Sequence, residues 1–160
     1  MNVESIDLER RLPAPPQRVW AALVDPSQAG TWLAAKASIV PELGGAYELF
    51  WLPDTPDHQS TIGCRITAIA PPRYLAFTWR GPDELSAVMN DGDPPPPPTH
   101  VTLSLTPADG ATALRVRHAG FGPGADWARA RAWHERAWAT CLDNLEAFLA
   151  GRPLPRPWNE

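Results

Sequence analysis

Residues 126–151 read DWARARAWHERAWATCLDNLEAFLAG, and this stretch decides the fold. Trp127, Ala130, His134, Trp138, Cys141, Leu142, Leu145 and Leu149 recur at intervals that place them on one stripe of a helix. Asp126 stands where an N-cap is expected, and Gly151 where a helix stops. Such a helix, about 24 residues long, spans about 36 Å at 1.5 Å per residue. Its second half, CLDNLEAFLA, is ordinary core. Its first half is less apolar, with Arg131 and His134 set among tryptophans.

Upstream of this helix the period is two. Residues 3–12 alternate through Ile6, Leu8 and Leu12, with Arg10 interrupting the apolar side. Six further strands are expected in ASIVPEL, AYELFWL, TIGCRITAIAP, RYLAFTWR, HVTLSLTP and TALRVRHAGF. Gly44-Gly45 and Asp109-Gly110 mark turns between them. Two short helical segments follow the first strand. One carries Val19, Trp20 and Leu23, the other Trp32 and Leu33, and Asp25-Pro26 separates them. Helices this short need a larger surface to lean on. Residues 80–99, with five consecutive prolines from Pro94 to Pro98, are expected to form a long exposed connection containing a polyproline II run.

Successive hairpins make an antiparallel sheet, and one long helix is the element large enough to cover its face. The expected fold is therefore α+β: a seven-stranded curved antiparallel sheet around a long C-terminal helix, with two short helices after the first strand. A curved sheet gripping one helix leaves a gap where the curvature is deepest, and the short helices close it. Residues 1–151 read as one domain and 152–160 as a flexible tail.

Composition narrows the function classes. Fourteen basic and eighteen acidic residues give a net charge of −4, and no basic stripe is present, which argues against nucleic-acid binding. The charged N-terminal segment is not a secretory signal, and no apolar run reaches membrane-spanning length, so a cytoplasmic location is expected. The two cysteines, Cys64 and Cys141, make no disulfide framework and read as small buried hydrophobes. His58, His100, His118 and His134 lack close metal-ligand spacing, and no nucleotide, metalloprotease or nucleophile-elbow motif occurs. No catalytic set, metal or cofactor is expected.

Eight tryptophans in 160 residues call for a large aromatic core or a lined cavity. Trp79 and Trp138 suit the core, while Trp32, Trp51, Trp127 and Trp133 suit a mouth or wall. The candidate cavity residues are Trp32, Tyr47, Trp51, Trp79, His118, Trp127, Arg131, His134 and Trp138. His118 lies on the apolar phase of the last strand and His134 on the inward stripe of the helix. Each is either a hydrogen-bonded core histidine or a ligand contact with acid–base capacity. Arg115, Arg117 and Arg131 are candidates for holding an anionic group, the first two subject to strand register.

Taken in order, RRLPAPPQRVWAALVDPSQAGTWLA, the Gly44-Gly45 turn with Tyr47, GCRITAIAPPRYLAFTW, LRVRHAGF, and Trp138 followed by CLDNLEAFLAG resemble the family named after the activator of the Hsp90 ATPase. That family belongs to the START-like superfamily, and the resemblance covers roughly residues 5–150. It implies the helix-grip fold with a cavity between sheet and helix. The superfamily includes lipid and hormone binders, aromatic polyketide cyclases and ring hydroxylase subunits. Three functions are therefore expected in competition. The first is binding of a hydrophobic or aromatic small molecule. The second is a cyclase- or hydrolase-type enzyme using a cavity histidine. The third is a stress-related or chaperone-associated interaction protein. A monomer or a homodimer is compatible with each.

Overall fold

Asp109 and Gly110 both take positive φ, 51° and 80°, the geometry of a two-residue hairpin turn. They join β6 (Thr99–Ala108) to β7 (Ala111–Ala119), the longest strand pair of the computed structural model, which describes residues 5–158. Three more strands complete a five-stranded antiparallel sheet: β1 (Ile6–Leu12), β4 (Ile66–Ala70) and β5 (Tyr74–Trp79), in the order β1-β7-β6-β5-β4. β2 (Lys36–Ile39) and β3 (Tyr47–Phe50) form a separate two-stranded ribbon.

The seven expected strands are all present, but they do not form one regular sheet. The segment read as TIGCRITAIAP is a strand only from Ile66. Its first half turns at Ile62 and Gly63 and follows β3 irregularly through Thr61 N–H to Leu49 O, Tyr47 N–H to Cys64 O and Ile66 N–H to Gly45 O. The ribbon therefore continues the curvature of the sheet rather than its ladder. At the ribbon turn, a Cβ on Gly45 would run into the Val40 carbonyl oxygen, so glycine is required there.

The helices are α1 (Pro16–Val24), α2 (Pro26–Trp32), α3 (Ser86–Met89) and α4 (Ala125–Leu149). Asp25 ends α1 and caps α2, accepting from Ser27 N–H at 2.9 Å. The last carbonyls of α1 have no partner within the helix. Trp32 Nε1 donates to Ala22 O at 2.8 Å, and the Tyr47 hydroxyl donates to Leu23 O at 2.7 Å. Both short helices are thereby fixed against β3.

Helix α4 begins differently from the expectation. Gly124 is its N-cap, at φ 98°, and Asp126 sits inside the first turn, where it pairs with Arg129 at 2.8 Å. A carboxylate in that turn still complements the helix dipole. The inward stripe matches the reading: Ala130, His134, Trp138, Cys141, Leu142 and Leu145 are buried. Arg10, which breaks the alternation of β1, crosses to the same helix and meets Asp143 at 3.0 Å and Glu146 at 3.3 Å. No helix of the described residues is long and apolar enough to cross a membrane.

Two connections also differ from the expectation. Residues 80–99 are not wholly exposed. A 3-10 turn (Asp83–Leu85) leads into α3, and Leu85 and Met89 are buried, so this stretch packs a helical corner against the core before the Pro94–Pro98 run, which is exposed except at the half-buried Pro96. The segment after α4, read as a flexible tail, is tied down over 152–158. The fully buried Asn144 side chain donates to Trp32 O and Arg156 O and accepts from Arg156 N–H, and Trp158 Nε1 donates to Trp32 O at 2.7 Å. A buried amide satisfied on both its nitrogen and its oxygen ties the end of α2 to the backbone of the segment after α4.

Asn144→Ala removes all three of these bonds and strands polar groups in the core. The expected cost is about 2 kcal/mol in denaturant unfolding. A loss below half a kilocalorie would mean that the 152–158 segment is not anchored this way.

Candidate functional site

The wedge between α4 and the sheet is not filled evenly. Towards its C-terminal end α4 packs as core through Leu142 and Leu145. Along its middle turns, from Trp133 to Cys141, an apolar pocket of about 460 Å³ remains. One face of α4 supplies Trp133, His134, Ala137, Trp138, Thr140 and Cys141, spaced so that they share that side of the helix. The facing wall is Trp79 and Arg80 at the end of β5, Trp51 and Leu52 after β3, and Leu33 after α2. Trp158, from the segment after α4, closes one side. Gln59, Ser60, Pro82 and Glu84 complete the rim.

The aromatic walls are packed edge to face or tilted, with ring centroids 6.1 Å apart for Trp51 and Trp79, 6.5 Å for Trp51 and Trp158, and 5.5 Å for Trp79 and Trp138. Four of the five lining indoles have their N–H engaged inside the protein. Trp51 donates to Leu33 O, Trp158 to Trp32 O, Trp79 to His134 Nε2 and Trp138 to His118 Nδ1. The pocket thus meets π faces and ring edges, with the polar ends of these indoles turned away.

The two histidines are linked to this arrangement and to each other, with ring centroids 5.1 Å apart. An indole N–H can only donate. Trp79, at 3.1 Å, therefore makes His134 Nε2 an acceptor, so the proton sits on Nδ1 and is donated to Ala130 O at 2.8 Å. Trp138, also at 3.1 Å, makes His118 Nδ1 an acceptor, so the proton sits on Nε2 and is donated to Thr99 Oγ1 at 2.8 Å. The rings are neutral, in opposite tautomers, with all four nitrogens occupied. Burial lowers the pKa of His134 from 6.5 to about 4. Burial, reinforced by the neighbouring His134 and His100 rings, holds His118 well below its ordinary value.

Of the nine candidate cavity residues, Trp51, Trp79, His134 and Trp138 line the pocket. The other five do not. Trp32 and Tyr47 are buried behind the wall, Tyr47 stacked on Phe77 at 4.0 Å, and both spend their polar atoms on α1. His118 lies one layer deeper than His134. Trp127 lies against Gly122 and Phe121 at the start of α4. Arg131 runs along α4 within 3.9 Å of Glu135. Arg115 and Arg117 sit on the outer sheet face, Arg115 clasping Asp7 at 2.6 Å.

Several lining residues are absent from that candidate set. Trp133 sits one residue before His134 on the same side of α4. Trp158 had a visible signal, a lone large apolar residue in a proline-rich segment. Cys141 is in the wall, and burial pushes its thiol up to about 12, so it contributes bulk rather than nucleophilicity. Among the described residues no three His, Cys, Asp or Glu side chains converge to hold a metal ion.

The rim is a polar clasp. Asp83 receives His58 Nδ1 at 2.7 Å and Gln59 N–H at 3.0 Å, while Gln59 Nε2 donates to Glu84 Oε1 at 3.0 Å. These contacts, and above all the Gln59 N–H, hold the Asp83 carboxyl below its ordinary range.

A family model described as Activator of Hsp90 ATPase homolog 1-like protein matches residues 13–150. Among solved structures the chain is similar to protein MLL2253 from Mesorhizobium loti, at 25% identity and TM-score 0.71, covering 94% of this chain and 100% of that one. It is similar to CalU16 from Micromonospora echinospora, at 24% identity and TM-score 0.69, over 96% of this chain and 78% of that one. An Hsp90 activator from Plasmodium falciparum shares the fold at 16% identity and TM-score 0.69, over 95% of this chain and 99% of that one. No curated protein matches.

The neutral histidines set a pH dependence. Unfolded histidine takes up a proton near pH 6.5, whereas native His134 accepts one only near pH 4 and native His118 only well below its ordinary value, so stability is full above 6.5 and falls as pH drops below it. Each ring contributes a slope approaching about 1.4 kcal/mol per pH unit. Denaturant unfolding between pH 7.5 and 4.5 checks it, with His134→Gln removing roughly half the slope. A flat profile would contradict two rings held neutral by burial.

Proposed function

The chain belongs to the Activator of Hsp90 ATPase homolog 1-like family, and from that premise we propose that it is a cytoplasmic small-molecule-binding protein whose pocket encloses an apolar, aromatic ligand. The observation that carries this reading is the 460 Å³ pocket walled by five indoles, four of them with their N–H groups turned into the protein. Such a wall binds through desolvation and ring contacts, and it selects for planar, polarisable bodies.

Acid–base catalysis by a cavity histidine is the weaker reading. Both rings are neutral, and each of their nitrogens already has a partner inside the fold. A histidine can exchange protons with a substrate only after giving up one of these bonds. Association with a chaperone ATPase is a second reading that rests on the family match and on the fold shared with the Plasmodium activator. Stimulation of Hsp90 ATP hydrolysis by this chain would favour it over ligand binding as the main role.

A neutral aromatic probe, N-phenyl-1-naphthylamine, tests the pocket. Saturable binding is expected, with quenching of tryptophan emission. Ala137→Trp places a further indole in the pocket and is expected to weaken binding by at least about tenfold, with an unchanged circular dichroism spectrum. Absence of saturable binding, or undiminished binding by the filled variant, would contradict the proposal.

A further inference from the structure

The polar atoms around the pocket can be followed one by one. Ser60 Oγ donates to Pro56 O, Thr140 Oγ1 to Arg136 O, and Gln59 joins Asp83 and Glu84. Both nitrogens of His134 are occupied. Both carboxylate oxygens of Asp83 accept bonds, and Glu84 accepts from Gln59. Arg80 differs. Its guanidinium offers five N–H donors, and among the described residues it makes one hydrogen bond, to Asp57 O at 3.3 Å on the rim loop, with no carboxylate at ion-pair distance. The side chain is half-buried and follows directly on Trp79, a main element of the aromatic wall.

From this we infer that Arg80 is a specificity-determining residue that receives an anionic group, a carboxylate, sulfonate or phosphate, carried on the edge of the aromatic ligand. The ligand class is an aromatic acid: its ring system occupies the indole-lined interior and its charged edge stays at the rim, where the guanidinium fork meets two oxygens of one group. The inference rests on the ligand-binding reading above and refines it from any apolar molecule to an anionic aromatic one. The chemistry of the wall requires such a division. An acid carried inward would find no free donor among Trp51, Trp79, Trp138, Trp158 or His134, and the one remaining indole N–H, on Trp133, is a single neutral donor that does not offset the desolvation of a full charge. Held at the rim, it keeps part of its hydration and gains a charge-assisted bond.

Two probes that differ by one group separate this inference from the reading it rests on. N-phenyl-1-naphthylamine is neutral, and 1-anilinonaphthalene-8-sulfonate carries the same two ring systems plus a sulfonate. Both are titrated into the folded wild-type chain, Arg80→Met, Arg80→Lys and Ala137→Trp, with fold checked by circular dichroism. The inference expects Arg80→Met to weaken the sulfonate probe by about tenfold while changing the neutral probe by less than about twofold. Arg80→Lys should fall between. Ala137→Trp should weaken both. If both probes bind but Arg80→Met shifts them equally or not at all, the Arg80 inference is overturned and the pocket reading stands. Sulfonate binding that survives in Ala137→Trp also overturns the inference, because the probe then sits elsewhere. If neither probe binds the wild-type chain, both are overturned.

Discussion

Two hydrogen bonds from indole to imidazole hold the centre of this fold. Trp79 on β5 donates to His134 on α4, and Trp138 on α4 donates to His118 on β7. Each bond crosses from sheet to helix, and the two run in opposite senses, so strand and helix each give one donor and one acceptor. The remaining nitrogen of each ring is fixed by Ala130 O or Thr99 Oγ1. A buried polar group costs stability unless it is paired. Here four buried aromatic side chains pair with one another, and the pairing specifies how far β5, β7 and the first half of α4 can approach.

That constraint explains both the pocket and its character. The rings fill the space between the middle of α4 and the sheet beside the pocket, whereas Leu142 and Leu145, further along the helix, are ordinary buried core. Because the bonds use up the polar edges of Trp79 and Trp138, the surface left facing the gap is apolar even though histidines stand behind and within it. The same burial that makes the bonds strong keeps the rings uncharged. The short helices and the segment after α4 finish the enclosure. Trp32 receives Asn144 and Trp158 on one carbonyl, which brings the chain end onto the wall.

Much of this was legible in the sequence because it depends on period. The helical stripe from Ala130 to Leu145, the alternation of Leu114, Val116 and His118, and the positions of the short helices all follow from spacing and turn residues. Arrangement within the pocket was less legible. Trp79 and His134 lie 55 residues apart, and nothing local to either announces the bond. Tyr47 and Trp32 look like wall residues by type, yet the orphan carbonyls of α1 draw them behind the wall. Arg10 reads as a flaw in β1 until Asp143 and Glu146 appear across from it. Asp126 misleads because Gly124 supplies the backbone geometry of the helix start without any side chain. Residues 152–158 look loose because the groups that hold them belong to Asn144 and Trp32, far from the tail in sequence.

The central claim is that His118 and His134 are neutral, of opposite tautomer, and saturated by Trp138, Thr99, Trp79 and Ala130. Long-range proton–nitrogen correlation of the imidazole rings between pH 6 and 8 tests it most directly. The account predicts a protonated Nδ1 with a bare Nε2 for His134, the reverse for His118, and nitrogen shifts that do not move across the range. Titration of either ring near pH 6.5, or averaged shifts from both tautomers, would contradict it.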